Sequence, residues 1–263
     1  MPFRKNRGVD NINPERNKAF YRTQNSRKLA YFIHGYCGNP SHFERWARRL
    51  FEAGYDCKGI LLPGHGGDAR AFSEATAEQW KEHAQAELDA VLPHYDKILF
   101  VGHSMGSLLS FLIMGAYDKT EGIIAFNAAA GIHFHPSILK RYWGMIFGKP
   151  ERDSERMRTF REAAGVEVAG IHEAFRFVKP MKHLRGLIRE LRTQENVSCP
   201  VLLILSKHDE LVPERDIEAL HEKLPDSRIL HLSNSTHTYY PEEDRKKIEA
   251  AISEFIEEKK TSE

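Results

Sequence analysis

The feature that most constrains this chain is a pair of glycines around one serine, the pattern G-x-S-x-G at residues 102–106. A run of apolar, β-forming residues, ILFV at 98–101, precedes it, and an almost wholly apolar segment, SLLSFLIM at 107–114, follows it. These patterns predict a buried strand and a buried helix. Side chains beside the turn would collide where the two elements meet, so glycine is needed there. The pattern predicts a nucleophile elbow, a sharp turn that exposes the Ser104 hydroxyl above a sheet.

Strand-like and helix-like segments alternate along most of the 263 residues. We predict strands near 19–22, 29–33, 55–62, 98–101, 122–126, 200–206 and 228–232. We predict helices near 41–50, 76–92, 107–114, 213–224 and 241–258, the second opened by a capping box of Thr76 and Gln79. This alternation predicts an α/β fold with a mostly parallel sheet and helices on both faces.

The alternation breaks between residues 131 and 196, where no strand is predicted and apolar residues are scattered among charges with a net of +5. This pattern predicts a helical insertion. We therefore expect an N-terminal arm with a short edge strand at 1–28, a core formed by 29–130 and 197–263, and a helical cap at 131–196.

Composition excludes several classes of protein. A net charge of +1 argues against a dedicated nucleic-acid binder, and no apolar run is long enough to span a membrane, so we expect no stable membrane anchor. Residues 1–28 have a net charge of +6, and we expect a solvated tail there, with a nucleic-acid or membrane arm as the alternative. We expect no secretory signal, and the three cysteines, Cys37, Cys57 and Cys199, have no metal-type spacing. They predict reduced thiols in a cytoplasmic protein.

Four loops that follow predicted strands hold reactive residue types, and in a parallel sheet these loops meet at one edge. A serine nucleophile needs a base, and the base needs an acid that fixes its tautomer. Ser104, Asp209 and His237 lie in three of these loops, in the order Ser, Asp, His. Glu210 is the alternative acid.

An acyl-transfer site also needs donors for an oxyanion. We expect one from the backbone N–H of Met105, directly after Ser104. The second is expected from the backbone N–H of Tyr36, in the loop that begins with His34 and Gly35 after the strand at 29–33.

Together these motifs resemble the α/β-hydrolase family, above all its small microbial carboxylesterases and monoacylglycerol lipases. The resemblance extends from about residue 29 to 256 and rests on HGYCGN at 34–39, LPGHG at 62–66, GHSMG at 102–106, HDELVP at 208–213 and the STH that ends at His237. It implies an oxyanion hole at Tyr36 and Met105 and a helical cap at 131–196. The chain departs from the family at Cys37, where a small or hydroxyl residue is usual, and at Ser107, where a second glycine is common.

The sequence thus predicts a serine hydrolase that cleaves small-molecule carboxylic esters through an acyl-enzyme on Ser104, without cofactor or metal. Thioesters, amides and C–C bonds stay open, because the same triad serves all of them. A non-catalytic receptor or scaffold of the same fold is the alternative from another class. We expect His34, Gly35, Trp143 and Phe147 to line the substrate pocket.

Three other groups are weaker candidates. A metal site at His133 and His135 lacks a third ligand nearby in the sequence. No motif ties a base to Cys37 as a nucleophile. His65 is expected to have a structural role in its loop.

Overall fold

The computed structural model describes residues 17–133, 153–194 and 197–261. Its strands are β1 (Phe20–Arg22), β2 (Lys28–Ile33), β3 (Asp56–Ile60), β4 (Lys97–His103), β5 (Thr120–Phe126), β6 (Val201–Ser206) and β7 (Ser227–Leu232). Its α-helices are α1 (Glu44–Glu52), α2 (Ala69–Glu74), α3 (Ala77–Asp89), α4 (Met105–Met114), α5 (Glu155–Ala163), α6 (Val178–Thr193), α7 (Glu214–His221) and α8 (Glu242–Thr261). Short 3-10 helices occupy Pro40–Phe43, Leu92–His94 and Ile171–Phe177.

The strands form one sheet in the order β1-β3-β2-β4-β5-β6-β7. Five neighbouring pairs of this sheet are parallel, and the edge strand β1 runs antiparallel to its neighbour β3. This arrangement confirms the predicted mostly parallel sheet. Parallel strands end at the same edge, so the loops after β2, β4, β6 and β7 come together there.

Helices cover both faces of the sheet because the central strands are apolar on both sides. In β4, Ile98 and Phe100 face a cluster that includes Trp80 of α3, while Leu99 and Val101 face the opposite cluster. The second cluster contains Trp46 of α1 and residues of α8 such as Phe255. The two-residue period of the strand therefore divides the core between two layers of helices.

One predicted helix begins differently in the structure. The helix expected from residue 41 opens instead with the 3-10 helix Pro40–Phe43, and α1 starts at Glu44. The side chain of Asn39 accepts a hydrogen bond from the backbone N–H of Ser41 and so caps this turn. By contrast, the capping box of Thr76 and Gln79 is present at the start of α3, as predicted.

Between β5 and β6 the described chain contains α5, α6 and the 3-10 helix Ile171–Phe177, with non-helical connections between them. We refer to residues 153–194 as the inserted segment. Its helix α6 packs against α4 through an apolar face that includes Leu184, Leu187 and Leu191. Trp143, Phe147 and His135 lie outside the described residues. Within the described part of the chain, no helix combines the length and apolarity that a membrane span requires.

Candidate active site

Ser104 occupies a strained turn between β4 and α4. Its backbone has φ 53° and ψ −115°, a left-handed conformation that costs a non-glycine residue on the order of 1–3 kcal/mol. Hydrogen bonds hold it there, since its N–H donates to Phe126 O at 2.8 Å and its carbonyl oxygen accepts from Ser107 N at 3.1 Å. The elbow predicted from the glycine pattern is thus the local geometry at Ser104.

Close backbone contacts explain the two glycines of the motif. A Cβ atom on Gly102 would overlap the backbone of Ser107, and one on Gly106 would overlap the carbonyl oxygen of Ile33. The start of α4 therefore lies against both β4 and the end of β2, and any larger residue would force the elbow apart.

The side chains of Asp209 and His237 meet directly. Asp209 Oδ2 lies 2.7 Å from His237 Nδ1, and both side chains are buried, at 3% and 6% exposure. The other carboxylate oxygen, Oδ1, accepts from the backbone N–H groups of Leu211 and Val212, each at 2.8 Å. With Asp209 as the acceptor, His237 donates its Nδ1–H and keeps Nε2 free of a proton, the tautomer that a general base needs.

Glu210, the alternative acid, contacts His237 in another way. Its Oε2 accepts from the backbone N–H of His237 at 3.4 Å, whereas Asp209 contacts the imidazole ring. The geometry favours Asp209 as the partner of the ring and gives Glu210 a contact with the loop.

Two further residues hold the backbone of this loop. The carbonyl oxygen of His237 accepts from His103 Nε2 at 2.8 Å and from Asn127 Nδ2 at 3.1 Å. Asn127 also accepts from the backbone N–H of Ser206 at 2.9 Å, which links the ends of β5 and β6 to the histidine loop. These two roles could not be predicted from the sequence, because neither residue belongs to a motif with a known spacing to His237.

The loop after β2 approaches the elbow closely. A Cβ on Gly35 would lie 3.1 Å from Ser104 Cβ and 3.0 Å from His103 O, so a larger residue here would crowd the serine. His34 fixes the start of this loop, since its Nε2 accepts from the Leu62 N–H at 3.0 Å and its Nδ1 donates to Gly35 O at 2.9 Å. Both ring nitrogens form hydrogen bonds, and burial holds the pKa of His34 well below its ordinary value. The ring is therefore neutral, and it fixes the backbone of this loop.

Met105 is the first residue of α4, so its N–H belongs to the helical turn whose amides have no acceptor within the helix. The positive end of the helix dipole lies at the same place, beside Ser104. Amides of this kind stabilise the negative charge that develops on a carbonyl oxygen under attack. Met105 directly follows Ser104 in the chain, and Gly35, the residue before Tyr36, lies close to Ser104.

A group of histidines, of which His42 is half-buried and the others are buried, surrounds these residues. The ring of His103 lies 4.9 Å from that of His237 and 4.4 Å from that of His42, and the ring of His65 lies 4.7 Å from that of His34. Burial lowers the pKa of His42 and of His65 to about 4 and places that of His103 well below its ordinary value. These three rings are therefore neutral near pH 7.

Ser104 and His237 open into one cavity of about 110 Å³. All four predicted loops contribute to it, and His34 and Gly35 are among the residues that line it. The inserted segment supplies a mainly apolar wall that consists of Phe160, Ala163, Ala164, Val166, Val168, Phe177, Met181 and Leu184. Trp143 and Phe147, predicted for the same wall, lie outside the described residues.

Hydrogen bonds fasten the inserted segment to the loop that holds Tyr36. Asn39 Nδ2 donates to the carbonyl oxygens of Glu162 at 2.9 Å and Ala164 at 3.2 Å. Gly165 N donates to Cys37 O at 2.6 Å, and a Cβ on Gly165 would overlap Gly38 O. The wall of the cavity and the candidate oxyanion loop are thus one hydrogen-bonded unit.

The structure also locates two of the weaker candidates, Cys37 and His133. Cys37 lines the cavity, and burial raises the pKa of its thiol well above the ordinary value, which disfavours a thiolate. His133 is exposed, and in the described ranges no group of three or more His, Cys, Asp or Glu side chains is arranged to hold a metal ion.

Comparisons with known proteins agree on the fold. A lipolytic enzyme from the metagenome-derived pair LipS and LipT superposes with a TM-score of 0.73 and 22% identity, over 92% of this chain and 98% of that one. The monoacylglycerol lipase of Paleococcus ferrophilus superposes with a TM-score of 0.68 and 18% identity, over 91% of this chain and 98% of that one. An esterase from Exiguobacterium antarcticum superposes with a TM-score of 0.65 and 16% identity, over 91% of this chain and 94% of that one. A comparison with curated sequences finds no significant match.

The family model described as "Serine aminopeptidase, S33" matches residues 24–244, which include the elbow, the loop after β2 and both Asp209 and His237. Five-sixths of the chain is therefore matched, and the α/β-hydrolase fold predicted from the motifs is confirmed. The chain belongs to this family of α/β-hydrolases.

Proposed function

We propose that this protein is a serine hydrolase that cleaves carboxylic esters with the triad Ser104, Asp209 and His237. The contact of 2.7 Å between Asp209 Oδ2 and His237 Nδ1, beside the cavity into which Ser104 opens, is the observation on which this rests. The strained backbone at Ser104 supports it as well, since strain of this kind concentrates at functional sites.

In this mechanism His237 removes the hydroxyl proton of Ser104 as the oxygen attacks the ester carbonyl. The backbone N–H groups of Tyr36 and Met105 hold the oxyanion, and Asp209 stabilises the imidazolium that forms. His237 then protonates the leaving alcohol. A water molecule, activated by the same ring, hydrolyses the acyl-enzyme and releases the acid.

The apolar wall of the cavity is suited to the acyl group. A volume of about 110 Å³ is somewhat below the roughly 150 Å³ of an apolar cavity that holds benzene, so a short acyl chain matches it best. Small soluble esters and monoacylglycerols of short acids are the substrates that fit this reading, and the inserted segment is the cap that encloses them.

An amide substrate is the second candidate, since the family description names an aminopeptidase. Esters are favoured because structural neighbours are described as lipolytic enzymes, a monoacylglycerol lipase and esterases. A panel of esters, thioesters and anilides with the same acyl group shows which of these bonds the protein cleaves. The highest kcat/KM should be found for the esters.

A fluorophosphonate probe tests the nucleophile directly. It should label the wild-type protein and the surface variant Ser73→Ala, but not Ser104→Ala. In a serine protease, loss of the nucleophile lowers kcat by roughly 10⁶, so ester hydrolysis by Ser104→Ala should fall to background. Labelling of Ser104→Ala, or substantial turnover by it with the fold intact, would contradict the mechanism and favour a scaffold role.

A further inference from the structure

An acidic residue occupies a core-facing position of α8. Asp244, Ile248, Ile252 and Phe255 follow one another at spacings of three and four residues, so they share one face of the helix, and each is at most 1% exposed. The last three belong to the apolar cluster on that face of the sheet. A buried carboxylate is costly unless it is hydrogen-bonded, and residues that break a local pattern are concentrated at functional sites. The bonds of Asp244 therefore indicate what it does.

These bonds lead from α8 to the loop of His237. One carboxylate oxygen of Asp244, Oδ2, accepts from the backbone N–H of Asn234 at 3.0 Å and from the hydroxyl of Ser235 at 2.8 Å. The other oxygen, Oδ1, lies 3.4 Å from the ammonium group of Lys247 in the same helix. Hydrogen bonds to a charged acceptor are stronger than those between neutral groups, so Asp244 holds the start of the histidine loop firmly.

Ser235 is bonded on its other side to the loop of the acid. Its carbonyl oxygen accepts from the backbone N–H of His208 at 3.2 Å, and His208 directly precedes Asp209. Ser235 itself precedes His237 by two residues and is wholly buried. A shift of Ser235 would therefore move the backbone beside both Asp209 and His237.

The position of this pair excludes a direct contact with substrate. Neither Asp244 nor Ser235 is among the described residues that line the cavity of Ser104. Both can influence the reaction only through the loops that they hold. A displacement of about 1 Å at a reacting group can lower a rate by roughly 10², so a remote contact of this kind can be important.

We propose that Asp244, acting through Ser235, is a positioning residue that aligns His237 with Asp209. It neither touches the substrate nor transfers a proton, and it fixes the distance and angle between the ring and its acid. This inference rests on the proposed triad and adds to it the group that holds two of its members in register.

Steady-state kinetics with a short-chain ester test this role. Ser235→Ala removes one bond to a charged group, so kcat should fall about tenfold. Asp244→Ala removes both bonds to the loop, and a loss on the order of 100-fold is expected. Asp244→Asn keeps an acceptor oxygen, so its kcat should lie between those of Asp244→Ala and the wild type. KM should stay within about twofold in every variant, because neither side chain lines the cavity.

Glu243→Gln is the matched control, because Glu243 is an exposed acid in the same first turn of α8. Its carboxylate contacts Lys247. The variant removes one negative charge from the start of the helix but leaves the bonds to Asn234 and Ser235 in place, so kcat should be unchanged. Thermal unfolding checks each protein, and Ser235→Ala, which deletes a single oxygen atom, keeps the test valid if Asp244→Ala folds poorly.

A double-mutant cycle shows whether the effect passes through the acid and the base. In Asp209→Asn the alignment is already lost, so the addition of Ser235→Ala should lower kcat less than about twofold, against about tenfold in the wild type. Equal losses in the two proteins would overturn the inference. Wild-type kcat in folded Ser235→Ala and Asp244→Ala, or an equal loss in Glu243→Gln, would overturn it as well.

The rate at which a fluorophosphonate probe labels Ser104 gives a second measure that needs no ester. A wild-type protein that reacts with the probe but cleaves no ester would contradict the proposed ester hydrolysis alone. The labelling rates of the same variants would then decide the role of Asp244. A wild-type protein that is not labelled would contradict the triad, and the positioning role with it.

Discussion

Gly165 donates its backbone N–H to the carbonyl oxygen of Cys37 at 2.6 Å, and this bond joins the inserted segment to the loop that holds Tyr36. The side chain of Asn39 adds two more bonds between the same parts of the chain. The position of the Tyr36 N–H therefore depends on residues more than 120 positions later in the sequence.

Replacement of Asn39 tests whether this junction affects catalysis. Asn39→Asp keeps the oxygen that caps the 3-10 helix but replaces the donor Nδ2 by an oxygen that faces two carbonyl oxygens. We expect kcat for ester hydrolysis to fall about tenfold or more, the effect of a lost buried hydrogen bond, with a smaller change in KM. Steady-state kinetics with a short-chain ester measure both, and thermal unfolding confirms that the protein is folded. An unchanged kcat in a folded variant would mean that the junction does not position the loop.

A second prediction separates the two neighbouring acids. Asp209→Asn removes the charge that orients His237 and stabilises its protonated form, and a loss of roughly 10³–10⁴ in kcat is expected. Glu210→Gln is the matched control, and its effect should be far smaller because the Glu210 carboxylate accepts from the backbone N–H of His237, whereas that of Asp209 contacts the ring. The opposite ranking of the two variants would assign the acid to Glu210.

The close approach at the elbow predicts opposite effects for two glycines. Gly106→Ala would place a methyl group on the carbonyl oxygen of Ile33, so we expect destabilisation of about 3 kcal/mol or more. Gly186→Ala changes a glycine inside α6 whose Cβ would meet no atom within 4 Å, and about 1 kcal/mol of added stability is expected. Urea unfolding measures both values. Equal stability of the two variants would contradict the packing described at the elbow.

The buried histidines predict a loss of stability at mildly acidic pH. Burial lowers the pKa of His65 to about 4 in the folded protein, whereas in the unfolded chain it lies near 6.5. Below pH 6.5 the unfolded state therefore binds more protons, and the free energy of unfolding falls with pH until about pH 4.

His65→Phe removes one such group while an aromatic ring still packs against Phe72. Between pH 7 and pH 5 the variant should lose about 2 kcal/mol less stability than the wild type. The carbonyl oxygen of Pro63, which contacts His65, keeps its bond from Trp80 Nε1. Denaturant unfolding at the two pH values gives the comparison, and parallel losses in the two proteins would show that His65 does not titrate in this way.

Much of the fold and the main residues of the candidate site could be predicted because their signals are local. The strands β2, β4 and β6 are apolar runs, and the glycine pattern at the elbow follows from contacts over a few residues. The distinction between Asp209 and Glu210 could not be predicted, since adjacent residues in one loop share every sequence signal. It depends on which carboxylate points at the ring of His237.

The parts that the sequence did not reveal depend on contacts between distant segments. Nothing near Asn127 or His103 indicates that both bind the carbonyl oxygen of His237. Residues 164–168 have no periodic pattern, yet they pair with two loops of the core.

The bonds of residues 164–168 limit how freely the substrate specificity of this enzyme could be redesigned. Gly165 and Glu167 also pair with Gly66 and Gly67, so this short stretch lies between two loops of the core. Replacement of residues 131–196 by a linker, or by the corresponding part of a relative, would remove these bonds together with the apolar wall of the cavity. We expect such chimeras to lose kcat on esters of every chain length, and a graft would have to keep residues 162–168 in order to change selectivity without loss of turnover.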